Sequence, residues 1–168
     1  MPTGDEHVQK QDLGTILEGL LRKKIDFILV GGLAAVVQGA PLTTMDVDIV
    51  HDRSPENVKK LFAFLKSVGA IYRRLDDLKV EPKMEDIAGK GHLLLTTPWG
   101  ALDVLAMIEE DKTYTDLLEH CVEIPFRGYR INVLGLEMLA MLKRTSNCPG
   151  DKQRLSVLEE ALRQKNNR

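Results

Sequence analysis

Residues 45–50 read Met-Asp-Val-Asp-Ile-Val, a short strand pattern with two carboxylates one residue apart. Strand side chains alternate between faces, so Asp46 and Asp48 point one way while Val47 and Ile49 point the other, into a core. Two carboxylates about 5 Å apart repel by roughly 3 kcal/mol at an effective dielectric near 20. A fold gains nothing from that pairing by itself. One reading is an exposed strand end whose aspartates sit in solvent or cap a turn. The other is a divalent cation, which reverses the sign of the local energetics; hard oxygen ligands suit magnesium or manganese.

The surrounding sequence bears on the choice. "ALDVLAMI" places Asp103 inside an apolar run, where an aspartate is rarely buried unless paired or bound to metal. If that strand neighbours "MDVDIV", three carboxylates converge. Upstream, "FILV" predicts a buried strand, Gly31-Gly32 breaks the chain, and "LAAVVQ" (33–38) predicts a short helix stopped by Gly39. Glycines between a strand and a helix let backbone approach a phosphate, and a helix N-terminus favours an anion. A tight strand-to-helix turn needs glycine anyway. The Gly-x-Gly-x-x-Gly spacing of a dinucleotide site is absent, and no Gly-Lys-Ser/Thr follows as in a P-loop.

Leu13, Ile16, Leu17, Leu20 and Leu21 recur at helical spacing and predict a first helix ending near Lys23 and Lys24. In residues 54–69, Ser54 is a cap, Pro55 suits the first turn and Gly69 lies past the end of a further helix. "AIYRR" predicts a short strand, and residues 75–90 read as irregular. "HLLLTT" and "ALDVLAMI" form a hairpin about "PWG", and "VEIPF" and "YRINVL" form another about Arg127-Gly128. "TYTDLLEHC" reads as helical, and "LEMLAMLKR" and "DKQRLSVLEEALRQ" close the chain as two helices around "NCPG". The ends, 1–10 and 164–168, read as frayed. The expected fold class is α+β: a mixed sheet backed by helices rather than the regular alternation of a doubly wound parallel fold. A length of 168 residues suits one domain, with an α/β core over about 25–134 and C-terminal helices over 135–164.

A net charge of -2 does not point to a nucleic-acid or membrane-surface protein. Cys121 and Cys148 lack metal-knuckle spacing and are too few for a disulfide framework, which suggests free thiols. The polar N-terminus has no apolar signal core, and no apolar run reaches the roughly 20 residues that span a bilayer. The expectation is a cytoplasmic protein with no membrane partner. His51 and His92 are tempting acid–base groups, but a lone histidine beside a strand is more often structural.

"FILVGG", "MDVDIV" and "LDVL" together resemble the nucleotidyltransferase superfamily of DNA polymerase beta type, in particular small bacterial proteins related to the AbiEii toxins. Those carry a Gly-Gly-x-Ala turn before a Thr-x-Asp-x-Asp strand, matched here by "GGLA" and "TMDVD". The resemblance covers roughly 25–160 and implies a mixed sheet of the nucleotidyltransferase type. It implies magnesium- or manganese-dependent transfer of a nucleoside monophosphate from a nucleoside triphosphate to an acceptor hydroxyl. Asp46, Asp48 and Asp103 would be the catalytic metal ligands, with Asp103 a ligand of the second ion or a general base. Gly31, Gly32, Lys143 and Asp151 would bind nucleotide. Lys143 and Asp151 also have plain readings as complements to helix ends. Many relatives have an arginine where Thr43 stands; Lys90, Arg73 or Lys143 are candidates to replace it. The acceptor would be a small molecule, a tRNA or a protein. The alternatives are a degenerate nucleotide-binding half of a toxin–antitoxin pair and, last, a hydrolase of the haloacid dehalogenase type. The latter wants its Asp-x-Asp at the end of a long apolar strand, whereas "PLTTM" precedes these aspartates.

Overall fold

The computed structural model describes residues 11–109, 111–146 and 148–167. The first helix, α1 (Leu13–Arg22), starts where the Asp12 carboxylate accepts hydrogen bonds from the Thr15 amide (3.1 Å) and hydroxyl (2.7 Å). The amide is a first-turn donor, which the Asp12 carbonyl also reaches at 3.2 Å. Ile16, Leu17 and Leu20 are buried, as their spacing predicts. There follow β1 (Phe27–Val30), α2 (Gly31–Val36), β2 (Asp46–His51), α3 (Pro55–Ser67), β3 (Ile71–Tyr72), α4 (Met84–Ala88), β4 (His92–Thr97) and β5 (Gly100–Leu105). A small ladder of β6 (Met107–Ile108) and β7 (Lys112–Thr113) leads to α5 (Tyr114–Leu117) and a 3-10 turn. The hairpin β8 (Cys121–Phe126) and β9 (Tyr129–Leu134) and the helices α6 (Leu136–Thr145) and α7 (Pro149–Asn166) complete the order.

Seven strands form one sheet in the order β3-β4-β5-β2-β1-β9-β8. β2 pairs with β5, and β1 with β9, in parallel; the other pairs are antiparallel. The mixed sheet with C-terminal helices is the expected class. His51, on the face opposite Asp46 and Asp48, meets α4, and α1, α3 and α4 pack there. α2, α6 and α7 pack on the other face, near β1 and β2. β4 alternates exposed and buried, so the face carrying His92, Leu94 and Thr96 lies open. No helix among the described residues is long and apolar enough to cross a membrane. Both cysteines are free, and burial pushes the Cys121 thiol up to about 11.

Several local expectations change. The helix expected over 33–38 begins at Gly31, directly off β1, because Gly31 takes φ +70° and turns the chain within one residue. Ser54 makes no side-chain cap; Asp52 Oδ1 accepts from its amide at 3.2 Å instead. Residues 75–90 contain α4, fixed when Asp86 accepts from the Lys83 amide (2.9 Å) and the Tyr72 hydroxyl (2.7 Å) while Ile87 is buried. The apolar run 101–108 breaks at Ala106 into β5 and β6. Pro149 and Gly150 belong to α7, since a first-turn proline forfeits no helical bond. That helix runs to Asn166, through part of the segment expected to fray; residues 1–10 and Arg168 lie outside the described residues.

Candidate active site

The parallel register sets Asp48 directly beside Asp103, and Asp46 beside Ala101. Since in-register neighbours share a face, all three carboxylates rise from the same side of adjacent central strands. One oxygen from each lies within 4.8 Å of the others, and all three residues are half-buried. Among the described residues this is the only such convergence of acidic, histidine or cysteine groups.

The electrostatics follow from the geometry. Burial, then a hydrogen bond with Asp103, then the charges of Asp103 and Asp46 push Asp48 up from 3.8 to about 7; Arg73 offsets part of this. With no cation, the cluster lowers its own repulsion by keeping a proton near neutrality. A divalent ion would do the same work with more charge, and three hard oxygen donors converging on one point suit magnesium or manganese. The donor set therefore fits the metal that the resemblance implies.

Gly31 has a reason specific to this site. Val30 pairs with Asp48 across β1 and β2, so the chain turns against the carboxylate. A methyl group on Gly31 would overlap Asp48, and φ +70° disfavours any side chain there. At Gly32 a methyl would meet the Thr44 hydroxyl at 3.2 Å. From Gly31 a cleft of about 130 Å³ runs between Val30, Asp48, Leu139, Leu142 and Lys143. A narrower slot continues it past Gly32, Leu42 and Arg154. A larger cleft of about 530 Å³, between Phe62, Lys66, Pro82 and Met84, shares no residue with the triad.

Lys143 borders the cleft and donates to Asp151 Oδ1 at 2.9 Å. Asp151 also accepts from the Ser146 hydroxyl at 2.5 Å; that bond first, then Lys143, holds its carboxyl below the usual range. The pair thus joins α6 to α7, and Asp151 itself lines neither part of the cleft. Arg73 is tied to Asp103 Oδ1 at 2.5 Å, and Lys90 follows α4 and lines neither part of the cleft. The cation that the sequence reading missed is Arg154, one turn beyond Asp151 on α7 and facing the same slot as Gly31 and Gly32. His51 is structural: buried, its pKa lowered mainly by burial, its ring nitrogens lie 3.2 Å from the Leu105 carbonyl and 2.8 Å from that of Ile87. His92 Nε2 lies 3.2 Å from the Met107 carbonyl.

No protein-family model matches the chain, and no curated protein matches it by sequence. Solved structures match in shape. The lincosamide antibiotic adenylyltransferase LnuA, bound to lincomycin, is similar at TM-score 0.59 and 15% identity, over 89% of this chain and 95% of that one. ANT(2")-Ia, in complex with adenylyl-2"-tobramycin, is similar at TM-score 0.55 and 14% identity, over 89% and 87%. TM1012 of Thermotoga maritima, assigned as a nucleotidyltransferase, is similar at TM-score 0.53 and 17% identity, over 93% and 91%. The fold is that of the nucleotidyltransferases. In this fold the triad occupies paired central strands, and the Gly-Gly turn opens the cleft beside it.

Proposed function

We propose that this protein is a magnesium- or manganese-dependent nucleotidyltransferase that moves a nucleoside monophosphate from a nucleoside triphosphate to an acceptor hydroxyl. The observation that carries this reading is the convergence of Asp46, Asp48 and Asp103 at one end of the cleft bordered by Gly31 and Lys143. Asp46 and Asp48 would hold the metal, with Asp103 completing its ligand set. Divalent ions bound there would neutralise triphosphate charge and acidify the attacking hydroxyl. The Gly31–Gly32 turn brings backbone N–H groups to the phosphates, with no Cβ atom to hold them off. Lys143 neutralises phosphate charge, Asp151 orients Lys143, and Arg154 supplies the cation that relatives place at the position of Thr43.

The fold shared with two antibiotic adenylyltransferases favours ATP as donor and a small hydroxyl-bearing acceptor over tRNA or protein. An AbiEii-like subtype with a toxin–antitoxin partner rests on the "GGLA" and "TMDVD" resemblance alone. The complete triad favours an active enzyme over a degenerate partner. Calorimetric titration with ATP tests the reading: affinity rises at least tenfold, about 1.4 kcal/mol, when magnesium is present. Equal affinity with and without the ion overturns it. Labelled nucleoside triphosphates incubated with the protein and cell extract then identify the acceptor.

A further inference from the structure

The shortest charged contact at the triad involves a residue from outside the strands that carry it. Arg73 follows the edge strand β3, and its side chain reaches over β4 to β5. Its Nη2 donates to Asp103 Oδ1 at 2.5 Å and to the Leu95 carbonyl at 3.1 Å, while its backbone amide donates to the Leu94 carbonyl at 2.9 Å. The Asp103 side chain is 13% exposed, and Arg73 is its ion-pair partner among the described residues. Asp103 is therefore engaged on both sides, by Arg73 and by Asp48.

We propose that Arg73 is a resident counter-ion of the metal centre that competes with a divalent cation for Asp103. This rests on the metal-centre reading above and goes beyond it. A charge-assisted bond of this length in a half-buried setting holds Asp103 strongly. Among the described residues neither Asp46 nor Asp48 is ion-paired with an arginine, so a cation enters between them first. Asp103 joins the ligand set only as it shares or releases the guanidinium. Arg73 thus holds the three-carboxylate cluster together without metal and weakens its grip on metal, which suits a centre that must let ions leave with pyrophosphate. An arginine that merely pins β3 to β4 through the Leu95 carbonyl would act in one direction only, since its loss would loosen both the fold and the site.

The two roles separate in Arg73→Met, measured beside the wild type and Arg73→Lys. Free Mn2+ is counted by electron paramagnetic resonance during titration of the nucleotide-free protein at pH 8, and unfolding is followed in EDTA. Arg73→Met is less stable without metal yet binds Mn2+ at least tenfold more tightly, and its melting temperature rises more with Mn2+ than that of the wild type. Arg73→Lys, which keeps the charge, stays near wild-type affinity. If Arg73→Met binds Mn2+ equally or more weakly while the wild type binds normally, the counter-ion role is overturned and the metal centre stands. If neither protein binds Mn2+, the metal-centre reading falls and takes this inference with it. Should Arg73→Met fail to fold, Arg73→Gln, which retains a donor for the Leu95 carbonyl, is expected to show the same tightening, and its absence counts equally against the proposal.

Discussion

Replacing Asp48 by asparagine should stabilise the metal-free protein, and by an amount that depends on pH. Folded Asp48 keeps its proton to about pH 7, whereas the unfolded chain releases it near 3.8. The folded state therefore binds more protons across that window, and wild-type stability falls as pH rises through it. Above the window the wild type carries the whole penalty; below it, none. A rise from 3.8 to about 7 corresponds to on the order of 4 kcal/mol. Solvent on the cleft side and the bond shared with Asp103 reduce the expected effect to about 2–3 kcal/mol. Asparagine cannot ionise, and its amide can donate to Asp103 as the protonated carboxyl does. Asp48→Asn should thus match the wild type near pH 4 and exceed it at pH 8 by about 2–3 kcal/mol, roughly 5–10 °C in melting temperature for a chain of this size. Thermal and urea unfolding in EDTA at several pH values between these limits measure the difference, in which titrations common to both proteins cancel. Magnesium should then stabilise the wild type at pH 8 and the variant little. A difference that does not vary with pH, or a variant less stable at pH 8, refutes the reasoning: Asp48 would then be an ionised structural acceptor.

Gly31→Ala should destabilise by about 1–3 kcal/mol through its positive φ and its overlap with Asp48. The cost should shrink in an Asp48→Gly background; additive losses in that double-mutant cycle would mean that the carboxylate is not the obstacle. Gly32→Ala should fold, with a slight shift of Thr44, and lose at least tenfold in magnesium–ATP affinity; unchanged affinity places the phosphates elsewhere. Arg154→Ala should leave the melting temperature unchanged and weaken ATP binding far more than AMP binding. Lys143→Met should cost about 1–2 kcal/mol of stability as well, because Asp151 loses its partner; equal phosphate selectivity in Arg154→Ala and wild type would remove Arg154 from the site.

The carboxylates were legible in the sequence because they broke a rule: two on one face of a strand, a third inside an apolar run. Their adjacency was not, because the β2–β5 pair closes over more than fifty residues and depends on β4 and β5 folding back as a hairpin. The role of Arg73 was hidden for the same reason, since its contact with Asp103 exists only once β3, β4 and β5 are ordered side by side. The short α4 escaped notice because, beside the local bond from the Lys83 amide, Asp86 is anchored by the Tyr72 hydroxyl, on another element. Arg154 left a usable signal: with Asp151, Leu155 and Leu158 it recurs at three- and four-residue spacing on one face of α7.

All three carboxylates stand on β2 and β5, and none on a loop. A one-residue slip of β5 against β2 would carry Asp103 to the opposite face of the sheet, so the two-residue turn between β4 and β5 can neither lengthen nor shorten freely. The segment 74–79 is under no such constraint; it lies between Arg73 and the Val80 carbonyl, which accepts from the Tyr72 amide at 2.8 Å. Descendants of this chain could therefore exchange that segment for others of different length and polarity, over the open face of Leu94 and Thr96, while the acid centre stayed in register. Under the proposed activity, divergence in the acceptor would then be recorded in insertions and deletions along one edge of the sheet, and constancy in the chemistry in the fixed length of a single turn.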